Sequence, residues 1–187
     1  MASRDDTQIS QILNQLHEVK FGEHTILILP DIYELRSAYA AFSKERLANN
    51  EAIMILGYYD NVNGVKHFLK ELDVDVEGHS RAGSLIILDG LKEISASPIQ
   101  FLSNLAITGS RIKSIGKTGI SVIIDMGLFF HGHQEELLEF EKLMPVKADF
   151  ACKSLLCIYH AADFKTLSAA QQEEILRAHD KKIEPGS

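Results

Sequence analysis

The sequence predicts a three-layer α/β/α domain built on a mostly parallel central sheet. Three observations predict it. Five short apolar runs recur along the 187 residues. Each run is apolar at consecutive positions, the pattern of a strand covered on both faces. Longer stretches with helical spacing separate the runs, so each crossover has a helix to carry it. Right-handed crossovers then make the sheet doubly wound. The length suits one domain with a good-sized core.

The elements follow in order. Residues 5–20 read as a helix, with Ile9, Ile12, Leu13, Leu16 and Val19 at helical spacing. "HTILILP" (24–30) is the first strand, 32–49 the next helix, and "AIMILG" (52–57) the second strand. A helix over 61–72 leads to the polar stretch "DVDVEGHSRAG" (73–83), expected to be an exposed loop, and to the third strand "SLIILD" (84–89). Ser97-Pro98 supplies an N-cap and first helical residue for a helix to about 114. "ISVIIDM" (120–126) is the fourth strand, 133–143 a helix, and "SLLCIY" (154–159) the fifth strand. Ser168 with Gln171 forms a capping-box signature for a last helix over 169–181. The expected organisation is an N-terminal helix (1–20) packed on the core, a single α/β domain (21–182) and a disordered tail (183–187).

Composition excludes several classes. The net charge of −7 argues against direct nucleic-acid binding, which needs a basic face to replace counterions. A local basic patch at Arg111, Lys113 and Lys117 remains. No apolar run of about 18 residues spans a membrane, and the N-terminus lacks a signal-peptide layout. Cys152 and Cys157 match neither a zinc knuckle nor a CxxC pair. They read as reduced, buried thiols of a cytoplasmic protein, pointing to opposite faces of a strand.

"GSRIKSIGKTG" (109–119) imitates a phosphate-binding loop. A P-loop requires G-x-x-x-x-G-K-[ST] after a strand and before a helix, so that backbone N–H groups and the helix N-terminus hold phosphate. Here Gly116-Lys117-Thr118 follows a helix and precedes a strand, and Arg111 stands where the first glycine belongs. Gly116 reads better as a helix C-terminal glycine. After the first strand, where the loop should be, "LILPDIYELR" has neither glycine nor lysine. Asp31 would repel phosphate there, and its plainer role is to cap the helix starting near Tyr33.

Four stretches resemble one family. "GEHTILILPDIYELRSAYAAFSKERLANNEAIMIL" carries a Gly-x-His (Gly22, His24) before the first strand. "SVIIDMGLFF" ends a strand in an acid followed by Met (Asp125, Met126). "ELLEFEKLM" holds Leu-Leu-x-aromatic-Glu (Leu137 to Glu141). "SLLCIYHAADFKTLSAAQQEEILRAHDKKI" holds Cys-x-Tyr (Cys157, Tyr159) and a late His. Together, over about 21–182, they resemble the MEDS-type sensory domain. The resemblance implies a RecA/KaiC-like fold without Walker A, acting in signal transduction with no cofactor. The chain departs from the family pattern at Asp125, where Glu is usual, and at Gly127, where an aromatic often stands.

Ligands of open parallel sheets bind at the carboxyl ends of strands. Those ends nominate Asp31, Tyr33, Tyr58, Tyr59, Asp89, Asp125, Met126, Tyr159 and His160 as ligand-binding candidates. For Asp31, Asp60 and Asp89 the plainer reading is helix capping or a turn. Met126, Phe129 and Phe130 also read as core. His131 and His133 with Asp125 make a two-histidine metal edge conceivable, though no third nearby ligand is identifiable, and a solvated helix-start loop is the plainer reading. Glu139 and Glu141 read as exposed, since Leu137, Leu138, Phe140 and Leu143 take the apolar positions.

The leading expectation is a non-enzymatic sensory or regulatory domain binding a small ligand or a partner at the carboxyl edge of the sheet. Its output would pass to a protein such as a kinase or transcription regulator, with a homodimer compatible with that role. A divergent ATPase or metal-dependent hydrolase, and a KaiC-like self-assembling module, are the alternatives.

Overall fold

The computed structural model describes residues 4–20, 22–94, 98–131, 133–144 and 152–184. The helix α1 (Arg4–His17) precedes β1 (His24–Leu29), α2 (Ile32–Ala48), β2 (Ala52–Gly57), α3 (Val62–Glu71), α4 (Val76–Arg81) and β3 (Leu85–Asp89). Then come α5 (Gly90–Ile94), α6 (Pro98–Ser114), β4 (Ile120–Asp125) and a 3₁₀ turn (Met126–Phe130). The chain ends with α7 (Gln134–Leu143), β5 (Cys152–His160), α8 (Ala161–Phe164), α9 (Ala169–Ala178) and β6 (Lys181–Ile183). The strands form a single six-stranded sheet in the order β3-β2-β4-β5-β1-β6, and every described pairing is parallel.

The order explains the layers. From β1 the chain moves to β2 and β3 on one side, then turns back through β4 and β5 to β6. A right-handed crossover must change face when its direction reverses. Accordingly α1, α2 and α3 cover one face, where Leu27, Leu29, Ile53, Ile55, Ile123, Leu156 and Ile158 are buried with Ile12, Leu16, Phe42 and Phe68. The helices α6, α7 and α9 cover the other, where Ile26, Met54, Val122, Ile124, Leu155 and Tyr159 meet Phe101, Phe140 and Ile175. Alternate residues of each strand feed opposite cores, as the pleat requires.

The end of α6 settles the Gly-Lys-Thr question. The N–H of Gly116 donates to Lys113 O and that of Lys117 to Ile112 O, with Gly116 at φ +84°. This is a Schellman ending, which needs a left-handed residue after the helix. The segment closes a helix and holds no phosphate loop.

Several local expectations are corrected. The stretch 73–83 contains α4, started by Asp75 accepting from Gly78 N. The last helix ends at Ala178, and Lys181–Ile183 adds a sixth strand beside β1. Ile183 is therefore buried core and not tail; residues 185–187 lie outside the described residues, as does Ser97. Asn61, not Asp60, caps α3, while Asp60 takes a two-point ion pair from Arg36 at 2.9 and 3.1 Å. Cys152 and Cys157 face the same core. Ile120 pairs with Cys152 but Ser121 pairs with Ser154, so Lys153 is an extra residue that flips the alternation. Both cysteines are free and buried. No helix among the described residues is long and apolar enough to cross a membrane.

Candidate functional site

The carboxyl ends of β1, β4 and β5 open onto a small cavity of about 60 Å³. Leu29, Ile32, Leu35 and Ile158 make its apolar wall, and Asp31, Tyr59, Asp125, Tyr159 and His160 complete it. Asp125 is its anchor. It ends β4, is almost wholly buried, and its oxygens accept from three backbone N–H groups: Tyr58 at 3.1 Å, Tyr59 at 2.9 Å and Gly127 at 3.0 Å. One carboxylate thus ties the turn after β2 to the turn after β4. Burial pushes its pKa up to about 6, against the three amides, which pull it down.

Above Asp125 four rings cross the sheet edge in a row. His131 stacks on Tyr58 (5.3 Å between centroids), Tyr58 meets Tyr59 edge-on (5.2 Å), and Tyr59 tilts against His160 (5.7 Å). The Tyr59 hydroxyl donates to the Asp163 carboxylate of α8. Burial, then Asp163, raises the Tyr59 pKa, so the phenol stays protonated.

Asp31 Oδ1 accepts from Tyr33 N (2.8 Å) and Glu34 N (3.1 Å), the first free amides of α2. The donors that hold phosphate in a P-loop protein are here taken by the chain's own carboxylate.

The structure brings Asp31, Tyr58, Tyr59, Asp125 and His160 together and leaves other candidates apart. Tyr33 is 71% exposed on α2. Asp89, at the end of the edge strand β3, accepts from Lys92 N and pairs with Lys92 Nζ at 3.5 Å. Met126 is fully buried in the core, so it offers no surface to a ligand. Tyr159 lines the cavity, but its ring packs in the core and its hydroxyl donates to Glu141. The His131–His133–Asp125 metal edge does not assemble among the described residues. The 3₁₀ turn carries His131 onto Tyr58 and leaves His133 to Glu136 at 3.3 Å, while backbone donors occupy Asp125. Asp163 was missed because it sits in α8, beyond the end of β5.

A second polar cluster lies on the other face of β1 and β5, and the sequence reading missed it. His24 begins β1, Cys157 lies in β5, Glu141 in α7, and His179 just after α9. Their side chains are 0–4% exposed. Glu141 was expected at the surface. The helix actually buries Leu137, Phe140, Glu141 and Met144, an i, i+3, i+4, i+7 face that includes the carboxylate. His24 Nε2 lies 3.2 Å from Cys157 Sγ and 3.5 Å from Glu141 Oε2, and His179 Nε2 lies 3.6 Å from the same oxygen. Burial, then His179, lowers the His24 pKa to about 3, and burial lowers that of His179 to about 4. Burial raises Glu141 to about 8, against the Tyr159 hydrogen bond, and pushes Cys157 well up. All four residues lie in stretches that carry the family resemblance, a signal that chain-local reading of Glu141 and Cys157 passed over.

Fold and site together define a class: a RecA/KaiC-like α/β/α domain without a Walker A loop. Solved structures of this fold resemble it. PH0321 from Pyrococcus horikoshii, an uncharacterised protein in complex with an unknown peptide, has a TM-score of 0.69 at 10% identity, covering 91% of this chain and 82% of its own. The flagellar accessory protein FlaH from Methanocaldococcus jannaschii has a TM-score of 0.57 at 13% identity, covering 98% and 78%. The KaiC-like protein PH0186 from Pyrococcus horikoshii OT3 has a TM-score of 0.57 at 16% identity, covering 83% and 70%. No curated protein matches in sequence. The chain belongs to the MEDS family, the MEthanogen/methylotroph, DcmR Sensory domain, whose profile matches residues 23–180. That family is described as sensory, so the chain is a sensory, regulatory domain of signal transduction.

Proposed function

We propose that this sensory domain binds a neutral or cationic molecule of a few heavy atoms in the cavity at the carboxyl ends of β1, β4 and β5. The observation that carries the reading is the cavity itself: an apolar wall from Leu29, Ile32, Leu35 and Ile158, closed by buried Asp125. Its small volume of about 60 Å³ limits the ligand to a few heavy atoms. Asp31 and Asp125 line the site, and Asp163 lies beside it through Tyr59, so anions are disfavoured. A ligand here contacts the Tyr59–His160 pair and the first turn of α2, and its binding favours one arrangement of that edge. An output protein, such as a kinase or transcription regulator, reads the change. The peptide held by PH0321 is in keeping with a protein partner.

The test is ligand-observed NMR with a panel of neutral, cationic and anionic compounds of up to about six heavy atoms. The expected hits are neutral or cationic, and His160→Ala weakens them about tenfold through lost ring contact. Anion-selective binding, or affinities unchanged in His160→Ala, Tyr58→Ala and Asp125→Asn alike, overturns the reading.

A further inference from the structure

We propose that His24, Glu141, Cys157 and His179 form a closed four-ligand site for a transition-metal ion of the Zn²⁺ class. The argument starts with the ring tautomers. His24 Nδ1 lies 3.1 Å from Ala178 O, and His179 Nδ1 lies 2.7 Å from Ile175 O. A carbonyl oxygen only accepts, so each Nδ1 carries the proton and each neutral ring presents an Nε2 lone pair to the cluster. Metal-binding histidines are oriented in this way, by an outer hydrogen bond from the other ring nitrogen. The Tyr159 hydroxyl does the same for Glu141, donating to Oε1 at 2.5 Å and leaving Oε2 facing the histidines.

The spacing fits a tetrahedron. Zinc bonds of about 2.0–2.3 Å place tetrahedral ligand atoms about 3.3–3.8 Å apart. The measured separations are 3.2, 3.5 and 3.6 Å, and all four ligand atoms lie within 4.8 Å of one another. Glu141 Oε2 and His179 Nε2 have no hydrogen-bond partner although both are buried. A purely hydrogen-bonded cluster leaves two polar atoms unsatisfied, a costly arrangement. One cation satisfies both.

Charge and chemistry select the ion. A divalent metal with one thiolate, one carboxylate and two neutral imidazoles is a net-neutral unit, suited to a dry interior. Binding releases the Cys157 thiol proton and the Glu141 carboxyl proton. Mixed S, N and O donors in tetrahedral array favour Zn²⁺ over hard cations. Four protein ligands leave no open position, so the ion is a structural staple joining β1, β5, α7 and the α9–β6 junction. The site lies across the sheet from the ligand cavity and stands independently of it.

The test uses the full chain. Protein produced with Zn²⁺ and exhaustively dialysed is expected to retain one zinc per chain by plasma mass spectrometry. The chelator-stripped chain titrated with Co²⁺ is expected to show intense visible bands of tetrahedral cobalt and a thiolate-to-cobalt charge-transfer band. Cys152→Ser keeps that band, which assigns it to Cys157. Cys157→Ser loses it, and His179→Gln weakens Co²⁺ binding by about 100-fold or more. Cys152→Ser alone makes the assignment should Cys157→Ser not fold. No retained zinc together with an octahedral cobalt spectrum overturns the proposal, and so does a charge-transfer band lost in Cys152→Ser.

Discussion

Asp125 carries more of the carboxyl edge than its single side chain suggests. Three backbone N–H groups from two turns converge on it, so one side chain braces both turns. Its pKa, raised to about 6 from 3.8, makes stability depend on pH. Between those values the folded chain holds the proton that the unfolded chain has lost, so this group's contribution falls as pH rises through the window. Asp125→Asn removes the titration while disturbing the same hydrogen bonds at every pH. Its destabilisation, measured by urea unfolding, is expected to be greater at pH 4.5 than at pH 7 by about 2 kcal/mol. A pH-independent difference would refute the raised value. At this scale the sequence was legible where the backbone dictates chemistry: Asp31 caps α2, as its position before a helix implies. It was misleading where one helical step decides. Reading Leu143 into the apolar face of α7 put Glu141 outside, whereas the buried face runs through Glu141 and Met144.

Elements position the site through close approaches that no strand or helix pattern announces. The junction of β4 and the 3₁₀ turn needs Gly127 because the Tyr59 ring lies on it; a Cβ there would come within 2.4 Å of Tyr59 Cε2. Gly127→Ala must displace the Tyr59 ring, which bonds Asp163 and packs on His160, since the ring is the softer partner. The expected cost is about 1–2 kcal/mol of stability, with a larger effect on the cavity: ligand affinity falls and the Tyr59 ring resonances shift in NMR spectra. Unchanged Tyr59 signals would show that the backbone yields instead. The five long strands and their helices were legible from apolar runs and helical spacing. Strand β6 was not, because its three residues, Lys-Lys-Ile, carry no run, and only pairing with β1 makes them a strand. The bulge at Lys153 was equally hidden: residue alternation in β5 has no local mark of an inserted residue.

At the scale of the whole molecule, the RecA/KaiC-like architecture is kept while the two segments that could grip a phosphate are both otherwise engaged. The N-terminus of α2 is occupied by Asp31, with Glu34 adding acid to its first turn. The Gly-Lys-Thr segment is spent on the Schellman ending of α6, far along the chain from β1. The doubly wound order was legible from the alternation of runs and helices, and its consequence for phosphate was legible from the missing glycines. What the sequence hid was that four residues from distant segments meet between the sheet and its helices. Thermal unfolding separates these levels in one experiment. A ligand stabilises by RT ln(1 + [L]/Kd), so Mg²⁺–ATP at a concentration equal to its Kd adds only about 0.4 kcal/mol, roughly 1 °C for a domain of this size. With the phosphate donors self-capped, millimolar Mg²⁺–ATP is expected to leave Tm unchanged within about that margin. A rise of several degrees, saturating with ATP and absent with adenosine, would mean that triphosphate still finds amides on this scaffold and that Asp31 yields them.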